Sequence, residues 1–370
     1  MIDFAAGDFT AGSPTISGSG TTRFDGSTLT LPVNTVPGLL LAGGTLYLGP
    51  GFQGGSITNL TLAGMALQGS YTVSGTFNWT GGPIYGALTI ASNGVVNIGG
   101  SSGKELFAAV TNANGGTINW SDTGYLELWN NNGGAPYNGS INNLAGGLFN
   151  VQSDQILYNP YGYGFFNNAG TLRKSASTGT TAVRVLFTNA GTVEADTGTL
   201  SLQANYSNGS LANVAISLGG TAPGSGYGQI AFSSPLNMIG AFTVSTRNGF
   251  RPNPGDTFQV LSYPSATNEF TCLKGLDLGG GVLLLPEFTD TGLTLLTTTY
   301  ATNSALPQLF ISPAPGRLLV SWPIGYPDWT LLSTTNLVST FWSPVANPCG
   351  NQALVPVVAP RQYFRLKKTN

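Results

Sequence analysis

Along the middle of the chain apolar and polar residues alternate in short bursts, and each burst follows a glycine. NGVVNI at 93–98, GGTINW at 115–120 and GGLFNV at 146–151 are followed by FNNAGTLRKS at 166–175 and FTNAGTVEAD at 187–196. A period of two is that of a β-strand, whose successive side chains point to opposite faces. The anchor glycines are Gly94, Gly116, Gly147, Gly170 and Gly191, spaced by 22, 31, 23 and 21 residues, which suits the coils of a solenoid with a longer loop in one of them. Aligned on those glycines, Val96, Ile118, Phe149, Leu172 and Val193 form an apolar column that must face inward. Asn97, Asn119, Asn150, Arg173 and Glu194 form the next column, pointing out. Repetition has a physical cause, because each rung must offer the same backbone and a similar side-chain size to the rung above it. Arg173 is then stacked on Glu194 about 4.8 Å away, an exposed ion pair worth under about 1 kcal/mol. The Asn-Gly, Ala-Gly and Gly-Gly steps are expected to supply positive φ at the corners.

No stretch places apolar residues at three-four spacing over a dozen positions, and Pro, Gly, Ser, Thr and Asn interrupt every candidate helix. The expected fold class is therefore all-β: a right-handed parallel β-helix (β-solenoid) with one repeated strand per coil, followed by a small C-terminal β-sandwich. Residues 1–30 read as an N-terminal lead or partial cap, 31–225 as the solenoid, 226–302 as its closing segment and 303–370 as the sandwich. The solenoid should have roughly eight coils and a length of about 40 Å. In so small a sandwich Trp322, Trp329 and Trp342 are expected in the core.

Composition narrows the functions. Charged residues make up 8% of the 370 and hydrophobic ones 41%, so the chain can bury enough to fold while carrying little charge. Thirteen basic residues nearly balance fifteen acidic ones without any long like-charged run, which argues against a nucleic-acid partner. No window of eighteen apolar residues exists, so no helical membrane span is expected. Residues 1–30 lack a basic start followed by an apolar stretch, so no signal peptide is read there. Cys272 and Cys349 allow either one disulfide or two separate thiols.

The phrases NLTLAG from Asn59, NWTGG from Asn78, FNNAGTLRKSASTGTT and FTNAGTVEADTGTLSL occur here in an order that resembles the large surface β-solenoid repeat proteins of environmental bacteria. The segment Tyr227 to Tyr263 is similar to the closing segment of those proteins and of autotransporter-type passengers. From Leu306, PQLFISPAPGRLLVSWP, WTLLSTTNL, FWSPV and YFRLKK resemble the fibronectin-like sandwich that ends many secreted proteins of verrucomicrobial bacteria. The resemblance implies export and an extracellular or cell-surface location. It brings no catalytic residue with it.

The absence of histidine removes Ser-His-Asp and Cys-His catalysis and histidine metal sites. Glu194 and Asp196 share a strand face at about 7 Å, a separation suited to an inverting glycosidase, but Arg173 is placed to neutralise them and a solvated strand edge is expected. Glu127, Asp154, Glu194 and Asp196 are spaced so that three of them do not stack, so neither a calcium site nor any other metal or cofactor is expected. The remaining cluster is aromatic. Tyr158, Tyr161 and Tyr163, with Trp129 and Tyr137 one coil earlier, form a candidate ligand-binding group, because exposed rings beside amide side chains grip neutral sugars; Phe166 is assigned to the core instead. Threonine-rich segments suggest an ice-binding grid, which coil lengths of 21 to 31 residues are expected to break. The expected role is non-catalytic and structural or adhesive: a surface stalk, fibre or coat component, with self-association end to end or cell-surface glycans as partners. The alternative is a carbohydrate-binding or polysaccharide-degrading module that uses the tyrosines.

Overall fold

The computed structural model describes the chain except residues 10–19, 35–38, 132–133, 303–305, 315, 347–348 and 370, and the side chains of 134–136. Its body is a stack of coils, and each coil adds two further strands to the repeated one. One coil runs through Ser140–Asn143, Leu148–Val151 and Ile156–Tyr158, and each strand pairs in parallel with its counterpart in the next coil, Phe165–Asn168, Thr171–Lys174 and Thr180–Arg184. The strands thus form three faces: a first face carrying the repeated phrase, a second face preceding it and a third face following it.

Register on the first face is the one expected. Val96 pairs with Ile118, Ile118 with Phe149, Phe149 with Leu172 and Leu172 with Val193, and none of the five is more than 2% exposed. The longer coil does not disturb this register, because its extra residues form an antiparallel hairpin, Asn130–Asn131 with Gly134–Asn138, at a corner. Among the described residues ten strands follow one another on this face, from Ile57–Leu62 to Cys272–Lys274; eight of them lie within 31–225, in line with the roughly eight coils expected, and two continue the stack into the closing segment. The stack also starts before residue 31. Ile2–Phe4 pairs in parallel with Thr22–Phe24 and Asp8–Phe9 with Ser27–Leu31, and Phe4 stacks on Phe24 at 4.7 Å with Phe9 edge-on to both.

The anchor glycines have another purpose than the one expected. None of the five lies at positive φ; that conformation falls to the residue before, Asn93, Gly115 and Gly146, in three of the corners. What Gly170 and Gly191 supply is room: a Cβ on Gly191 would run into the carbonyl of Gly170, and one on Gly170 into that of Gly147. Corners stack as closely as strands do.

The second face contains a feature that the sequence pattern did not announce. Asn112, Asn143, Asn168 and Asn189 end successive strands and point inward, where all four are buried. Each amide donates to the next, Asn112 to Asn143 at 2.8 Å, Asn143 to Asn168 at 2.8 Å and Asn168 to Asn189 at 2.9 Å. Each of these three also donates to a backbone carbonyl, of Leu148, Thr171 and Thr192. Buried amides are tolerated because they are paired.

At the C-terminal end the direction reverses. Gly292–Thr299 joins Thr257–Ser262 antiparallel and forms a hairpin with Val282–Thr289, which ends the parallel third face. Two antiparallel three-stranded sheets follow: Phe310–Ala314, Arg317–Ser321 and Gln352–Pro356 in one, Trp329–Thr334, Ser343–Pro344 and Tyr363–Lys368 in the other. Between them pack Val320, Trp322, Leu331, Ala353 and Val355. Trp322 is core as expected, but Trp329 and Trp342 are only half-buried, and Arg365 lies over the Trp342 ring at 4.3 Å. Cys272 of the last first-face strand is bonded to Cys349 of the sandwich, which resolves the choice left open by the sequence. Glu269 and Arg317 add an ion pair across the same junction at 2.7 Å.

Candidate functional site

An aromatic corner lies between the third and second faces. Ile84, Leu106 and Leu128 are paired, buried positions of three successive coils, and the residue after each is a ring: Tyr85, Phe107 and Trp129. Tyr85 and Phe107 stack at 4.5 Å, and Phe107 and Trp129 at 5.2 Å. The hairpin inserted after Trp129 brings Tyr137 against Phe107 at 4.7 Å and edge-on to Trp129 at 6.3 Å. In the next coil the corner is Asn159 to Gly164. The Tyr161 carbonyl accepts from the Asn130 backbone N–H at 3.3 Å, which joins this corner to the base of the hairpin.

The five predicted residues therefore have three different situations. Trp129 and Tyr137 are packed into the corner and half-buried. Tyr158 is also half-buried, and its hydroxyl donates to the Glu127 carboxylate. That bond, reinforced by burial, pushes the Tyr158 hydroxyl up to about 12. Tyr161 and Tyr163 stand in solvent, 58% and 59% exposed, and among the described residues they enter none of the ring contacts that hold the others.

Sequence reasoning missed Tyr85, Phe107 and Glu105, and considered Glu127 only as a calcium ligand. A signal existed, since Tyr85, Phe107 and Trp129 recur every 22 residues. Glu105 and Glu127 are paired outward positions of the third face, with Tyr158 next in the same column. Glu127 is buried and accepts from the Trp129 indole N–H at 2.9 Å as well as from Tyr158. Burial raises the Glu105 carboxyl above the ordinary range, and the charge of Glu127 raises it further. Tyr125 borders this column, 5.9 Å from Tyr158.

The second candidate, Glu194 with Asp196, is closed. Arg173 pairs with Glu194 in the predicted register, but its guanidinium lies closer to Asp196, at 2.5 Å, than to Glu194, at 3.6 Å. Asp196 is buried and not the solvated edge expected: the strand ends at Ala195, so Asp196 lies beyond it and does not continue the outward face of Glu194. Burial and the neighbouring Asp196 charge raise the Glu194 carboxyl, against the pull of Arg173. Asp154, with Ser177 and Thr181, surrounds the buried Lys174 ammonium instead of a metal. Among the described residues no cluster of three or more acidic, histidine or cysteine side chains could hold a metal ion.

The threonine grid fails for a reason other than the one expected. Thr72, Thr89, Thr111, Asn142, Asn167, Thr188 and Ser207 form one unbroken outward column on the second face, because insertions are absorbed at corners. What interrupts the grid is the neighbouring column, which reads Ala109, Ser140, Phe165 and Leu186.

No protein-family model matches the chain, and no curated protein is detectably similar to it.

Proposed function

We propose that the chain is a stiff extracellular element, a stalk, fibre or coat component that carries an adhesive surface and acts without catalysis. One observation carries this reading: a single apolar core runs the length of the coils, parallel pairing continues along the first face from Ile57–Leu62 to Cys272–Lys274, and the last coil is fastened to the C-terminal sandwich by the Cys272–Cys349 bond and the Glu269–Arg317 pair. Such a body resists bending, since every rung is bonded to two others. The disulfide favours an oxidising compartment, and the likeness of the repeat phrases to surface β-solenoid proteins points the same way. Strand edges recruit further strands, so copies would associate end to end through an outermost coil.

Small-angle scattering over a concentration series, together with a cell-adhesion assay, tests this. The expected result is a rigid rod that lengthens with concentration and adheres to cells. A compact or hinged particle that neither associates nor adheres would refute it.

A further inference from the structure

The aromatic corner has a second property that a purely structural staple does not need. Its rings are not all spent on one another. Phe107 is closed in by Tyr85, Trp129 and Tyr137, but Tyr85 is 39% exposed, and Phe165, which opens the strand after the solvent-facing Tyr161 and Tyr163, is 37% exposed. These residues occupy four successive coils along one corner, a strip about 14 Å long at the spacing of stacked strands. Beside it run Glu105 and Glu127, and Glu127 fixes two of the local rings by accepting from Trp129 and Tyr158. Among the described residues no side chain donates to Glu105, which sits half-buried at the foot of the strip.

We propose that this corner binds a neutral glycan chain laid along the solenoid axis, with sugar faces against Tyr85, Tyr161 and Tyr163 and hydroxyls donating to Glu105. The inference rests on the adhesive reading above and names what adheres. Ring faces take the apolar faces of sugars, and a carboxylate accepts from hydroxyl groups. Two adjacent carboxylates exclude an anionic chain by like-charge repulsion. A quaternary ammonium ligand needs rings arranged around a cavity, whereas here the central ring faces are stacked shut.

The test uses the full chain and soluble neutral oligosaccharides of glucose, mannose and N-acetylglucosamine, with polygalacturonate and choline as charged probes and tryptophan emission as readout. A neutral oligosaccharide should bind and change the emission, and the change should vanish in Trp129→Phe. The surface variant Tyr161→Ala/Tyr163→Ala should weaken binding about tenfold with an unchanged melting temperature, and Glu105→Ala should weaken it as well. Binding of polygalacturonate or choline in preference, equal affinity in the double variant, or no binding of any neutral oligosaccharide would overturn the assignment. Should cells still be bound in that last case, the adhesive reading survives and only the glycan site fails. Loss of both would remove the two together.

Discussion

Two ladders of asparagine climb the solenoid, one inside and one outside. The inner one runs through Asn112, Asn143, Asn168 and Asn189 in the core, and the outer one through Asn78, Asn97, Asn119 and Asn150 on the first face. The bonds are alike in length, 2.8 to 2.9 Å inside and 2.9 to 3.2 Å outside, yet they run in opposite directions. Inner amides donate toward later coils, outer ones toward earlier coils. Where the inner column departs from asparagine it turns apolar, at Ile90 beside Asn112, whereas the outer column changes to the charged Arg173 and Glu194, in both cases without losing register. Water explains the difference. An outer side chain that loses its partner can turn to solvent, but an inner one has only its neighbours.

The comparison is broken most directly by putting a charge inside. Leu172→Asp places a carboxylate between Phe149 and Val193 in the buried column, where the inward-facing cation of the same strand, Lys174, is already engaged by Asp154. Its expected cost exceeds about 4 kcal/mol, enough to unfold the middle coils, which hydrogen exchange across residues 140–200 would register as lost protection. Unaltered exchange there would mean that the column does not face inward.

Asn168→Ala comes next. It removes the acceptor for Asn143 and the donor to Asn189 and to the Thr192 carbonyl in one step. Two neighbours keep backbone partners, Asn143 through Thr171 and Asn189 through the Gly191 N–H, which limits the loss to about 2–3 kcal/mol. Urea unfolding of the two proteins measures it.

How much of this was legible from sequence follows from parity. Alternation with a period of two assigns Leu172 and Phe166 to the interior correctly, and by the same count Asn168, two residues after Phe166, faces inward as well. An interior read from hydrophobicity alone overlooks it, because an amide is satisfied there only by its copy in the next coil. Lys174 has the same history: it is two residues after Leu172, points inward and is wholly buried. The aromatic corner was half legible for a different reason. Trp129 and Tyr137 stand out in sequence, but the part of Glu127 is set by the fold, which turns the Trp129 indole onto its carboxylate and stacks a side chain 31 residues away, Tyr158, on the other oxygen.

Lys174 sharpens the comparison, as a buried cation that borrows an outer partner. Asp154, 38% exposed, pairs with it at 2.8 Å. Burial works against the Asp154 carboxylate, but the hydrogen bonds from Lys174 and Ser177 and the Lys174 charge outweigh it and hold the carboxyl below its ordinary range. A folded-state value below the unfolded one means that this stability is present above the unfolded value of about 3.9 and is lost as pH falls through the folded value. Asp154→Asn should cost about 2 kcal/mol at neutral pH, less than a fully buried pair because solvent screens the carboxylate. Thermal melts from pH 6 downward should converge for the two proteins below the ordinary aspartate range; a constant gap would assign the effect to packing.

Arg173→Ala tests the outside where it touches the inside. A surface pair alone predicts a loss under about 1 kcal/mol, but the guanidinium also neutralises the buried Asp196, whose other carboxylate oxygen lacks a hydrogen-bond partner. The expected loss is about 1–2 kcal/mol, and Asp196→Asn in the same background should recover most of it. Failure of that second change to restore stability would show that Asp196 does not depend on Arg173.

The smallest effect belongs to the outer ladder proper. Asn119→Ala breaks the bonds to Asn97 and from Asn150, the same number of ladder bonds as Asn168→Ala. Both freed groups are half-buried and can reach water, so each bond contributes only its net value, and the strand pairing on either side is untouched. A loss under about 1 kcal/mol is expected, half or less of that for Asn168→Ala. Measured side by side in urea, the two alanine variants compare a buried with a water-accessible site at matched residue type and ladder position, the bond from Asn168 to the Thr192 carbonyl being the one further difference. Equal losses would mean that the ladders act through a shared cooperative chain of amide dipoles, in which case position relative to water would no longer explain why only the outer column accepts Arg173 and Glu194.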